Sequence, residues 1–120
     1  MKEWYVIPGS AGENNHVRVT PVSDKVFFIV KIWVWNHCRG RGIGSHLLRT
    51  VCYDADQEGV MLRLTVSPFL GHLCLTEKQL IDWYARHGFY SVNEPIFMER
   101  LPKTPVLRLP GSRDSSPQFI

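Results

Sequence analysis

Three glycines at alternate positions, Gly40, Gly42 and Gly44, separate a strongly apolar stretch from an amphipathic one, and Arg39 and Arg41 are interleaved with them. Glycine lets backbone approach a ligand closely and adopt positive φ. A helix that starts directly after such a turn adds unpaired amide N–H groups and the positive end of its dipole. Together these groups suit a phosphate or pyrophosphate. Two known phosphate turns are excluded by spacing. A dinucleotide fingerprint, Gly-x-Gly-x-x-Gly, needs its third glycine one residue later and an acidic residue about 20 positions on. The next strand here ends in Thr65-Val66-Ser67 instead. A P-loop needs Gly-Lys-Ser/Thr, which the chain lacks. The plainer alternative is a tight strand-to-helix turn that binds nothing.

Other chemistry is sparse. Cys38, Cys52 and Cys74 are odd in number and contain no Cys-x-x-Cys pair, which argues against a disulfide framework and against zinc. His16, His46, His72 and His87 have no ligand-like grouping, so no metal is expected. The net charge of +3 and a pI near 8.9 fit an anionic ligand but make nucleic acid an improbable partner. Met1-Lys2-Glu3-Trp4 is not the start of a signal peptide. Val26 to Val34 is apolar but short and contains Lys31, so no membrane contact is expected. The expected setting is the cytoplasm.

The elements that must position the turn can be read from period and punctuation. The 120 residues suit one domain. Trp4-Tyr5-Val6-Ile7 and Val17-Arg18-Val19-Thr20 read as short strands, with turns at Ser10 to Asn15 and Pro21 to Lys25. Val26 to Trp35 is β-branched and aromatic almost throughout, as a central strand covered on both faces would be. After the glycine turn, Ile43, Leu47, Leu48, Val51, Cys52 and Ala55 recur at helical spacing, and Gly59 is a C-terminal cap. Met61 to Val66 alternates as a strand, which makes a βαβ unit with a right-handed crossover. Ser67 to Cys74 is a loop. Thr76 and Gln79 form a capping box for a helix to about His87, stopped by Gly88. Phe89 to Val92 and Ile96 to Leu101 are two last strands, joined by Asn93-Glu94-Pro95. The domain therefore spans 1–101, and 102–120 is a Pro-rich tail.

A third phosphate turn, Arg/Gln-x-x-Gly-x-Gly/Ala, is matched by Arg39-Gly40-Arg41-Gly42-Ile43-Gly44. It is the pyrophosphate turn of the GNAT acetyltransferase superfamily. Tyr84-Ala85-Arg86-His87-Gly88-Phe89 resembles that family's Tyr-x-x-x-Gly-Phe helix end, and Phe97 to Leu101 is similar to its last strand. The likeness covers about Val26 to Leu101. It implies an α/β fold with a mixed sheet, the acyl-CoA N-acyltransferase fold, and acetyl-CoA as co-substrate without a metal. By this resemblance the backbone at Ile32, Trp33 and Val34 would pair with the pantetheine arm. Arg39, Gly40, Arg41, Gly42, Ile43, Gly44 and Ser45 would hold the pyrophosphate. Tyr84 would be the general acid, a phenol of pKa about 10 serving a thiolate whose acid lies near about 8.5.

The chain departs from the family in three places. The family often has Asn after the strand that follows the turn helix, where Ser67-Pro68 stands here. The central strand has no acidic base, leaving Glu94, Asp82, Glu99 or His37 as candidates. Only about 25 residues precede the central strand, too few for the two helices that usually wall the acceptor site. An open acceptor side suits a primary amine on a protein or peptide, and a homodimer could rebuild the wall. Short forms of this kind resemble phage acetyltransferases, anti-CRISPR ones included, which would place the chain in a host cytoplasm. The alternative function is an inactive CoA-binding or partner-binding module of the same fold.

Overall fold

The computed structural model describes residues 1–9, 11–35, 38, 42–67 and 75–103. Arg39, Gly40, Arg41 and His37, most of the loop expected at Ser67 to Cys74, and the tail beyond residue 103 lie outside the described residues. The elements are β1 (Trp4–Pro8), β2 (Asn14–Ser23), β3 (Val26–Trp33), α1 (Ile43–Glu58), β4 (Met61–Thr65), α2 (Glu77–Ala85), β5 (Tyr90–Val92) and β6 (Glu94–Arg100). They form one six-stranded mixed sheet in the order β1-β2-β3-β4-β6-β5. Only β3 and β4, the strands joined through α1, run parallel.

Both helices lie on one side of the sheet. Trp83 of α2 donates to Ser45 of α1, and Arg100 at the end of β6 reaches Asp56 of α1. The sheet turns Tyr5, Val17, Val19, Ile29, Ile32, Leu62, Leu64 and Met98 toward them, and all are buried. From α1 the same core receives Leu47, Leu48, Val51, Cys52 and Ala55, the residues whose period marked the helix. Ile29 and Ile32 are three apart and still share this face. Register shifts between Arg18 opposite Lys31 and Val19 opposite Ile29, so Val30 is a bulge that resets the alternation.

Besides β2, which begins at Asn14 inside the turn expected at Ser10 to Asn15, three boundaries differ from the sequence reading. Pro21 is not a turn residue: β2 runs through it to Ser23, with Pro21 opposite Phe27. The last bond on the β1 side of β2 runs from the Val19 amide to Glu3 O at 2.8 Å, so beyond Val19 that side is a sheet edge, where proline's missing N–H costs no ladder bond. β3 stops at Trp33 rather than Trp35, because the Trp35 amide donates to the Asn15 side chain at 2.9 Å instead of to a strand. β6 starts at Glu94, since Asn93 alone makes the reversal with φ 67°. A fourth difference concerns the environment of β3. It is an inner strand, but among the described residues helices cover only one of its faces. Lys31 and Trp33 lie on the other.

Helix ends follow their punctuation. At Gly59 (φ 67°) the Val60 amide donates to Ala55 O and the Gly59 amide to Asp56 O, a Schellman closure. α2 begins with the reciprocal Thr76–Gln79 box, at 3.2 and 2.9 Å. Gly88 has φ 94°, and a Cβ there would sit 3.2 Å from Arg100 Nε, so both backbone and space call for glycine.

Candidate active site

The N-terminus of α1 has no cap of its own. Gly42 takes the N-cap position in the left-handed region (φ 73°) and offers no side chain, and the first turn has no acidic residue. The first helical bond is from the His46 amide to Gly42 O at 2.9 Å. The amides of Ile43, Gly44 and Ser45 therefore point out of the helix end with no helical acceptor. With glycine at the N-cap, the missing side-chain cap forgoes only roughly a few tenths of a kcal/mol. Burial of Leu47, Leu48 and Val51 contributes roughly 1.5–3 kcal/mol each, so packing holds the helix whether or not its first turn is capped. A Cβ built on Gly42 meets nothing within 4 Å. The space in front of the turn is open, and it is φ that requires glycine there.

Ser45 is tied from the other helix. Its Oγ accepts from Trp83 Nε1 at 3.0 Å, which leaves the hydroxyl proton available to a further acceptor. Trp83 thus fixes both the position of the α1 end and the direction in which Ser45 can donate. The next residue, Tyr84, is buried between Trp83 (5.0 Å between ring centroids) and Phe89 (5.6 Å). Burial pushes its phenol well above the ordinary range, so it stays protonated throughout the neutral range.

Tyr84 also reaches the sheet. β3 and β4 pair for only three residues, Val26 to Phe28 with Met61 to Arg63. β4 then continues to Thr65 with β6 as its only strand partner, and β3 continues to Trp33 with β2 alone. The two strands part, and the cleft between them is lined by Ile29, Val30, Lys31, Ile32, Leu64, Thr65, Ser67 and Tyr84. It is narrow, about 20 Å³, room for about one water. Ile32 is buried on the helix side, Val34 is buried, and Trp33 lies on the opposite face within 5.6 Å of Trp35. Of the candidate bases, Glu99 is bound to Arg63 at 2.9 Å, and neither it, Asp82 nor Glu94 lines the cleft. The structure thus joins Ser45 to Tyr84 through α2 and brings Ile32 and Tyr84 to one cleft, while the Trp33 side chain lies on the far face of the sheet.

Three structural residues were not legible as such. Asn15 is fully buried; its amide donates to Ile7 O at 3.2 Å and its oxygen accepts from Trp35 N at 2.9 Å. It ties β1 and β2 to the end of β3 just before the glycine turn. The sequence reading placed it in the Ser10 to Asn15 turn, where Asn is common, whereas β2 begins at Asn14. Arg100 is buried, binds Asp56 at 2.8 and 3.0 Å, and donates from Nε to His87 O at 2.8 Å. Burial works against the Asp56 carboxylate, but the Arg100 bonds and the Lys103 amide hold it below the usual range. Beside this knot a groove of about 550 Å³ runs along α1 from His46 and Arg49 to Arg86, His87 and Lys103.

Among the described residues no group of three or more His, Cys, Asp or Glu side chains could hold a metal. No described helix is long and apolar enough to cross a membrane.

Residues 5–91, more than half of the chain, match a family model described as an acetyltransferase (GNAT) domain. Two solved structures share the fold. The anti-CRISPR protein AcrVA5 is 19% identical with a TM-score of 0.61, over 82% of this chain and 98% of its own. A candidate N-acetyltransferase from Lactobacillus plantarum is 17% identical with a TM-score of 0.59, over 82% of this chain and 67% of its own. No curated protein matches the sequence.

Proposed function

The chain belongs to the GNAT acetyltransferase family, and from that premise we propose that it transfers an acetyl group from acetyl-CoA to a primary amine on a protein or peptide. One observation carries the reading. Successive residues of α2 serve both halves of a thioester site: Trp83 fixes Ser45 at the bare end of α1, and Tyr84 lines the cleft where β3 and β4 part. The amides of Ile43, Gly44 and Ser45, with Gly42 and the adjoining Arg39, Gly40 and Arg41, are suited to the pyrophosphate. The groove from His46 to Lys103 offers the phosphorylated nucleotide end a basic surface. The pantetheine arm would run beside Ile32 in the cleft, which must widen to admit it.

In the reaction a neutral amine attacks the thioester carbonyl. The C–N bond forms, the tetrahedral intermediate collapses and the C–S bond breaks. The departing thiolate takes the phenolic proton of Tyr84. The new amide sheds its extra proton to water, and the phenolate recovers one from the same water. A phenol held above its ordinary range stays in the protonated form that an acid needs, and the same dry surroundings raise the proton affinity of the thiolate. Among the described residues no carboxylate lines the cleft, so water receives the amine proton.

Tyr84→Phe should lower kcat about 100-fold, the lower end of general-acid effects, and leave the thermal shift given by acetyl-CoA intact. An unchanged kcat would remove Tyr84 from the chemistry. The missing carboxylate also favours a second reading, a CoA-binding module without turnover. Acetyl-CoA binding with no thioester consumed across a lysine-rich protein mixture would select it.

A further inference from the structure

The sheet face away from the helices is a ladder of rings and cations. By register Trp4, Arg18 and Lys31 form one row, and Val6, His16 and Trp33 the next. Arg18 lies 5.4 Å from the Trp4 ring and Lys31 5.5 Å from the Trp33 ring. Trp4 and Trp35 are exposed by 45% and 41%, which is unusual for tryptophans in a core-sized sheet. Neither Arg18 nor Lys31 has a carboxylate partner among the described residues. The carboxylate that register does place on this face, Glu99, is already held by Arg63. The ladder ends at the cleft, because Lys31 both completes the first row and lines the gap beside Tyr84.

We infer that this face docks an acidic segment of the acceptor protein, with carboxylates on Arg18 and Lys31 and its aliphatic parts on the Trp4, Trp33 and Trp35 rings, so that an adjacent amine enters the cleft. The inference rests on the acetyl-transfer reading above and names the acceptor class for that site. Charge complementarity selects the occupant. Two cations without a carboxylate partner among the described residues, on an aromatic floor, attract carboxylates and disfavour a second copy of the same face, which would set like charges opposite each other. The rings keep the guanidinium and ammonium in place by cation–π contact, so less side-chain freedom is lost when a carboxylate arrives.

The test uses the full chain and two fluorescein-labelled peptides that share one central lysine, flanked by Asp and Glu in one and by neutral residues in the other. Fluorescence anisotropy at low salt should show the acidic peptide binding about tenfold more tightly, an advantage lost at high ionic strength. Arg18→Glu, at a residue outside the cleft lining, should largely abolish that advantage, while the acetyl-CoA thermal shift reports that fold and cofactor site are unaffected. Equal binding of the two peptides, or an advantage undiminished in Arg18→Glu, overturns the inference. So does a single-stranded oligonucleotide that binds this face more tightly than the acidic peptide, which would make the rings a stacking platform for bases. Acetylation is then followed separately. Acidic-peptide binding without acetyl transfer supports the docking face and sinks the enzymatic reading. Acetylation at equal kcat/KM for both peptides does the opposite.

Discussion

The two ends of α1 are built on opposite plans. At its C-terminal end the protein supplies the partners: Gly59 closes the last turn, and Asp56 takes two bonds from Arg100 and one from Lys103. At its N-terminal end Gly42 gives no side chain, no acid stands in the first turn, and the nearest hydroxyl, Ser45, is held so that it can still donate. Sequence propensity does not explain the difference, since capping residues are common and cost nothing to place. The contrast teaches that one end of the helix is finished by described protein groups and the other is not, as the proposed pyrophosphate site requires.

Breaking the finished end should have the largest effect. Arg100→Leu leaves the Asp56 carboxylate partly buried without its partner and should cost about 3–5 kcal/mol, read as a fall in Tm of roughly 10 °C or more. The pair also sets a pH signature. The folded pKa of Asp56 is depressed, so its contribution is present above the ordinary carboxylate value near about 3.9 and is lost as pH falls through the lower folded value. Asp56→Asn should flatten that acid limb in pH-dependent unfolding. Intact stability in Arg100→Leu would mean that the knot is ornamental.

The unfinished end should respond through ligand, not through fold. Acetyl-CoA at 100 times Kd should stabilise the chain by about 2.7 kcal/mol. Gly42→Glu puts a side chain and a negative charge into the open space before the turn, and should remove that gain while costing only about 1 kcal/mol of backbone strain. A retained thermal shift would refute the turn as the anion site. A smaller effect sharpens the comparison. Trp83→Phe keeps the ring and deletes the bond to Ser45, so KM for acetyl-CoA should rise by about three- to tenfold, the worth of about one hydrogen bond, with kcat little changed. A fall in kcat alone would assign Trp83 to Tyr84 instead.

The legible part of this molecule was what is local in the chain. The period from Ile43 to Ala55, the Thr76–Gln79 box and the glycine turn are all written within a few residues of one another. Asp56 and Arg100 are 44 positions apart, and each taken alone reads as a solvated charge. Ser45 and Trp83 are 38 apart, and indole with hydroxyl is no recognised pattern. The end of the sequence reading of β3 failed for the same reason. Its ladder stops where Asn15, 20 residues earlier, takes the Trp35 amide, and β-propensity at Val34 and Trp35 cannot register that competition. The cleft was expected only through family likeness, because a gap between strands depends on where pairing ends, and Phe28 opposite Arg63 carries no mark in its residue types.

The three-residue contact between β3 and β4 makes the sheet two leaves bound along a short spine. Each leaf is internally laddered, β1-β2-β3 on one side and β4-β6-β5 on the other, while the chain crosses between them through α1. A molecule lying in the parting would be held by both leaves at once and would complete the sheet in the one place the polypeptide does not. Substrate and architecture would then be the same thing for the duration of a turnover, and each release would return the protein to its less braced form.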